Sequence, residues 1–182
     1  MGEGAVASAA FVTSNVSGGV SVGLRQGLTL PANSNLVIPD RIAIVGNVNQ
    51  QEVRAVSASG FSGQSTLSQV SIPSTVTSIG TNAFRDATSL HTINFANNSQ
   101  LQTIGMDAFR NATSLTNLTI PASVTSIGNG AFQDVTNLQT VTFAANSQLR
   151  TIGNSAFGGM ILGLTQVTIP ASVTTLGDSA FN

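Results

Sequence analysis

The feature that limits this chain most is a short string that returns five times: Ile79-Gly80-Thr81-Asn82-Ala83-Phe84, again at 104–109, 127–132 and 152–157, and with leucine leading at 176–181. Subtracting successive phenylalanine numbers gives steps of 25, 23, 25 and 24, and Phe61, 23 before Phe84, marks a diverged sixth unit. A unit of that size cannot bury its own apolar side, so units must stack and share a core. The phenylalanines are expected to form a spine through it.

Between these tails runs a second shared stretch: Leu67/Val70/Ile72, Leu90/Ile93/Phe95, Leu115/Leu118/Ile120, Leu138/Val141/Phe143 and Leu164/Val167/Ile169. Its last two apolar residues are two apart, the period of a strand with one buried face. The units alternate in kind. Ile72-Pro73, Ile120-Pro121 and Ile169-Pro170 reach the next apolar residue in four steps, whereas Phe95 and Phe143 take six to reach Leu101 and Leu149. Positions 72 and 120, like 95 and 143, differ by 48, so the full period is a pair of units. A further apolar pair follows each turn (Val76/Ile79, Leu101/Ile104, Val124/Ile127, Leu149/Ile152, Val173/Leu176) and predicts a second extended segment. A short helical turn around Ala-Phe is expected to close each coil. The glycine of Ile-Gly suits either a positive φ or close approach of neighbouring coils.

The string Leu-x-x-Leu/Val-x-Ile-Pro-Ala-Ser-Val-Thr-x-Ile/Leu-Gly-x-x-Ala-Phe, at 115–132 and 164–181, resembles the BspA-like leucine-rich repeats of bacterial and protozoan surface proteins. That family usually carries cysteine three residues after the phenylalanine, where this chain has Ala87, Ala112, Val135 and Met160. The resemblance implies a leucine-rich-repeat solenoid, a right-handed coil or horseshoe that is mainly β with short helical turns and parallel strands stacked along the array. It also implies a secreted or cell-surface protein used for adhesion, and it brings no fixed ligand residues with it. It is close over 62–182 and loose over a diverged repeat at 36–61. Residues 1–35 read as an N-terminal segment, with Val20, Val22 and Leu24 facing Leu28 and Leu30 in a capping β-hairpin. The end at Phe181-Asn182 has no polar capping unit, which predicts an array truncated there or an end that docks on another chain.

Charge excludes several functions. Charged residues are 7% of the chain and the net charge is -1, so no nucleic acid is expected as a partner. The longest apolar run, near Ala5 to Val12, is too short to span a bilayer, and no membrane insertion is expected. The absence of cysteine removes disulfides and thiolate metal sites, and neither a cofactor nor a metal is expected. His91, the only histidine, has no partner at catalytic spacing, and Asp86, Asp107, Asp134 and Asp178 read as caps or solvated loop acids. No enzyme is expected. What remains is a surface: the outward strand residues Gln69, Ser71, Thr92, Asn94, Asn117, Thr119, Thr140, Thr142, Gln166 and Thr168 form a polar, uncharged face. A second row, Ser78, Thr103, Ser126, Thr151 and Thr175, runs along the other segment. Threonine and serine there satisfy strand propensity on a solvated face; the functional reading is a binding face for a protein or glycan at a cell surface. The scarce aromatic and arginine anchors argue for weak or multivalent contact. The alternative is a structural subunit of a layer, sheath or fibre whose partners are copies of itself.

Overall fold

In the computed structural model, residues 11–16, 19–24, 27–42, 51–159, 163–164 and 166–182 are described. The chain winds into stacked coils, each with two extended segments joined by turns. The second segments make one continuous sheet. It begins with β1 (Phe11–Val16) and β2 (Gly19–Leu24), continues through β5 (Gln51–Val56), β7 (Ser78–Ile79), β9 (Thr103–Ile104), β11 (Ser126–Ile127) and β13 (Thr151–Ile152), and ends at β14 (Thr175–Leu176). Along this order every pairing from β2 to β14 is parallel, as a coil that returns to the same side in the same direction requires. Its register puts like on like: Ile79 against Ile104, Ile104 against Ile127, Ile127 against Ile152. The first segments form two smaller sheets, β3 (Ser34–Val37) with β6 (Leu67–Ile72) and β8 (Thr92–Phe95), and β10 (Asn117–Ile120) with β12 (Thr140–Phe143).

The N-terminal coils extend these ladders. Leu36 pairs with Val70 and the Ile38 N–H donates to the Ser71 carbonyl, so Ile38-Pro39 takes the place that Ile72-Pro73 takes one coil on. β4 (Arg41–Ile42) pairs antiparallel with β5, Arg41 opposite Glu52; the part of the diverged repeat at 43–50 lies outside the described residues. The hairpin differs from expectation. β2 pairs antiparallel with β1, Thr13 opposite Val22, and parallel with β5, Val20 opposite Val53. Both its edges are thereby occupied, so residues 28–30 cannot join it. Side chains bind that stretch instead. Gln64 accepts from the Leu30 N–H at 2.8 Å and donates to the Leu28 carbonyl at 3.1 Å, and the Thr66 hydroxyl donates to the Leu30 carbonyl at 2.6 Å.

The Ala-Phe segment also departs from expectation, since no helix occurs among the described residues. A helix would send successive N–H groups four residues back along the chain. Here they alternate. Ala83, Arg85 and Ala87 donate three residues back to Gly80, Asn82 and Phe84, while Asn82, Phe84 and Asp86 donate to Met106, Ala108 and Arg110 of the next coil. The neighbouring coil wins every second donor, and the segment becomes a chain of tight turns.

Phe61, Phe84, Phe109, Phe132 and Phe157 are fully buried, and with Phe181 they stack with ring centroids 5.0 to 5.3 Å apart and planes within 2 to 9° of parallel. Ala87, Ala112 and Val135, at the position where the resembled family carries cysteine, are fully buried as well. The glycine question is decided by contact. A Cβ on Gly128 would lie 2.7 Å from the Met106 backbone nitrogen, and one on Gly105 2.7 Å from the Gly80 carbonyl carbon. Coils meet backbone to backbone at this step, and a methyl group would separate them.

Phe132→Ala, in the middle of the stack, is expected to lose about 3 to 5 kcal/mol in chemical denaturation. Gly128→Ala is expected to lower the denaturation midpoint as well, although alanine restricts the unfolded chain more than glycine does.

Candidate interaction face

The outward residues of the first segments lie where period 2 puts them. Gln69, Ser71 and Thr92 are half-buried; Asn94, Asn117, Thr119, Thr140, Thr142, Gln166 and Thr168 are exposed. Register joins them in rungs: Gln69 with Thr92, Ser71 with Asn94, Asn117 with Thr140 and Thr119 with Thr142. The Thr140 hydroxyl donates to Asn117 Oδ1 at 2.5 Å across one rung. The second row also aligns, Ser78, Thr103, Ser126, Thr151 and Thr175 being successive partners on the continuous sheet.

The face is nevertheless interrupted. No ladder links β8 to β10, and none links β12 to residues 166–169 among the described residues. Both interruptions fall where a proline coil follows a long-turn coil. Within a pair, the Ala96 N–H donates to the Ile72 carbonyl and the Ala144 N–H to the Ile120 carbonyl. At the next junction the corresponding residues are Pro121 and Pro170, which have no N–H to offer Phe95 and Phe143. Proline alone does not open the face, because β6, which Pro73 follows directly, still pairs with β3. The added condition is the longer turn of the preceding coil.

Each interruption is a cleft. Between β8 and β10 it has a volume of about 490 Å³, with Ile93 and Phe95 on one side and Thr119 and Pro121 on the other. Between β12 and 166–172 it has about 730 Å³, with Val141 and Phe143 facing Thr168 and Pro170. Ile93, Phe95 and Phe143 are only half-buried there and Ile169, beside Pro170, is exposed, whereas Val141 and, in the two earlier proline coils, Val70, Ile72, Leu118 and Ile120 are buried. Sequence reasoning placed the rungs and missed the clefts. The available signal was a Pro coil one unit after each six-step turn.

Charge is kept off this face and gathers at the Ala-Phe turns. Arg85 pairs with Asp107 at 3.4 Å and Arg110 with Asp134 at 3.4 Å. Asp86, Asp107 and Asp134 do more than cap or meet solvent: all three have positive φ, between 52 and 61°. They belong to two columns that flank the phenylalanines. Ser59, Asn82, Asp107, Gly130, Ser155 and Ser179 stand two residues before, and Gly63, Asp86, Asn111, Asp134 and Gly159 two residues after, all left-handed. Short polar side chains and glycine tolerate that region best. His91 is exposed just ahead of β8, its N–H donating to the Ser68 carbonyl. Among the described residues no three acids or histidines are grouped to hold a metal, and no helix is long and apolar enough to cross a membrane.

Asp134→Gly should leave stability nearly unchanged, because a surface ion pair contributes at most about 1 kcal/mol, whereas Asp134→Val should cost about 1 to 2 kcal/mol for holding a branched residue left-handed. Urea melts of the two variants make the comparison.

Residues 54–182 match six copies of the BspA type leucine rich repeat region. Among curated proteins none matches. Solved structures do. The pneumococcal vaccine antigen PcpA is 28% identical with a TM-score of 0.78, the alignment covering 94% of this chain and 45% of that one. A leucine rich cell surface protein from Faecalibacterium prausnitzii is also 28% identical, with a TM-score of 0.64 and coverage of 94% and 50%. The Treponema pallidum leucine rich repeat protein, 24% identical with a TM-score of 0.58 over 96% of this chain and 82% of its own, shares the fold. The chain thus spans about half the length of the first two neighbours. With stacked parallel coils, a phenylalanine spine and six matched copies, the chain belongs to the BspA-type leucine-rich repeat family.

Proposed function

We propose that the chain is a non-catalytic recognition module displayed outside the cell, adhering to a protein or glycan through the strand face. The observation that carries this reading is the separation of chemistry around the solenoid. Arginines and aspartates are tied to one another at the turns, while the strand face presents threonine, asparagine and glutamine at the strand spacing of about 4.8 Å. Such a surface binds by many modest hydrogen bonds on a rigid frame, and it tolerates avidity better than tight single-site affinity. The kinship with a cell surface protein of F. prausnitzii supports the location.

The test places arginine on the face but outside the clefts. Gln69→Arg with Asn117→Arg is compared with Thr103→Arg and Thr151→Arg on the other sheet, and attachment of the labelled chain to cells and to immobilised matrix proteins is read by fluorescence. The face pair should lose at least about tenfold in binding, roughly 1.4 kcal/mol, with the other pair unaffected. Equal binding by both, or none by the parent chain, would reject the face. Filaments that grow with concentration under electron microscopy would instead favour a structural subunit.

A further inference from the structure

We infer that the two clefts are twin subsites for a neutral oligosaccharide lying along the solenoid axis, an inference that rests on the strand face being the contact surface. The starting point is backbone. In β8 the peptides of Thr92, Asn94 and Ala96 turn toward β6, as the Ala96 bond to Ile72 shows, so those of Ile93 and Phe95 turn toward the cleft. By the same alternation the peptides of Val141 and Phe143 turn toward the cleft beyond β12. Among the described residues no ladder satisfies them there. Each cleft therefore offers an alternation of N–H donors and C=O acceptors beside apolar Ile93 and Phe95, or Val141 and Phe143, rimmed by hydroxyls such as Thr119 and Thr168.

Among the described residues none that is charged lines either cleft. A charged ligand would lose hydration and gain no counter-charge, and a purely apolar one would leave the peptide groups unpaired. A pyranose ring meets all the conditions, with hydroxyls that both donate and accept and a C–H face for the apolar side. An inserted peptide strand fits the first cleft less well. It would have to lie between edges about 9.6 Å apart, two strand spacings, whereas β8 and β10 approach within 8 Å between Cα atoms, so the occupant lies over the mouth of the cleft, where the hydroxyls of a sugar can reach down to the peptide groups. The clefts are two coils apart, about 10 Å along the axis. One chain of sugars can engage both, and affinity should rise with its length.

The experiment uses cellohexaose, maltohexaose and chitohexaose, their dimers, and an uncharged Gly-Thr peptide as probes, with amide NMR shifts and calorimetry as readouts. At least one hexasaccharide is expected to move the Ile93, Phe95, Val141 and Phe143 amides and to bind about tenfold more tightly than its dimer. Thr119→Arg with Thr168→Arg, both exposed, should abolish those shifts at unchanged melting temperature, and either change alone should remove the advantage of the hexamer. The inference is overturned if no hexasaccharide moves these amides at millimolar concentration, if binding persists in the double variant, or if only the peptide does so. In each of those cases, loss of attachment in the Gln69 and Asn117 variant leaves the recognition reading standing; retention in that variant rejects it as well.

Discussion

Everything in this molecule depends on how closely one coil can approach the next. The strand spacing asks for about 4.8 Å, and two features of the repeat hold the coils near it. Phenylalanine rings stacked 5.0 to 5.3 Å apart fill the interior at that pitch. At Gly105 and Gly128 the backbone of one coil meets that of the previous one with no room for a methyl group. The phenylalanine gives cohesion and the glycine removes the obstacle to it, which accounts for their appearance in the same short string.

Local chemistry then distributes the backbone hydrogen bonds. Where two apolar residues alternate with polar ones, as at Leu118 and Ile120, the chain enters a ladder and the polar residues face out. Where short polar residues or glycine can turn left-handed, as at Asp107 and Asp134, the chain folds back every few residues and still gives alternate donors to its neighbour. The ion pairs between Arg85, Asp107, Arg110 and Asp134 form across this turning side. The strand face is left without charge, and the ion pairs stand elsewhere, at these turns and between Arg41, Glu52 and Arg54 on β4 and β5.

The repeat length, the two kinds of unit and the outward residues were legible in the sequence because each follows from a period within one unit. Val70, Ile93, Leu118 and Val141 face inward by simple alternation. Three features were less legible, for distinct reasons. The Ala-Phe turn looked helical because its spacing is compact, while the left-handed columns are visible only when Asn82, Asp107, Gly130 and Ser155 are compared down the stack. The hairpin was displaced because the partner of β2 comes from upstream residues of weak pattern, and because Gln64 and Thr66 bind residues 28–30 through side chains. The clefts depend on a relation between units, a six-step turn followed one coil later by Pro121 or Pro170, which no single repeat contains.

That relation gives the array a phase. The clefts recur because proline coils and long-turn coils alternate, so gaining or losing two coils would shift the whole pattern without altering it. Gaining or losing one coil would bring two like units together. Two adjacent proline coils stay paired, as β3 and β6 do, and the strand face would run closed across that junction. The 48-residue pair is therefore the smallest length by which this solenoid can lengthen or shorten while keeping the same surface.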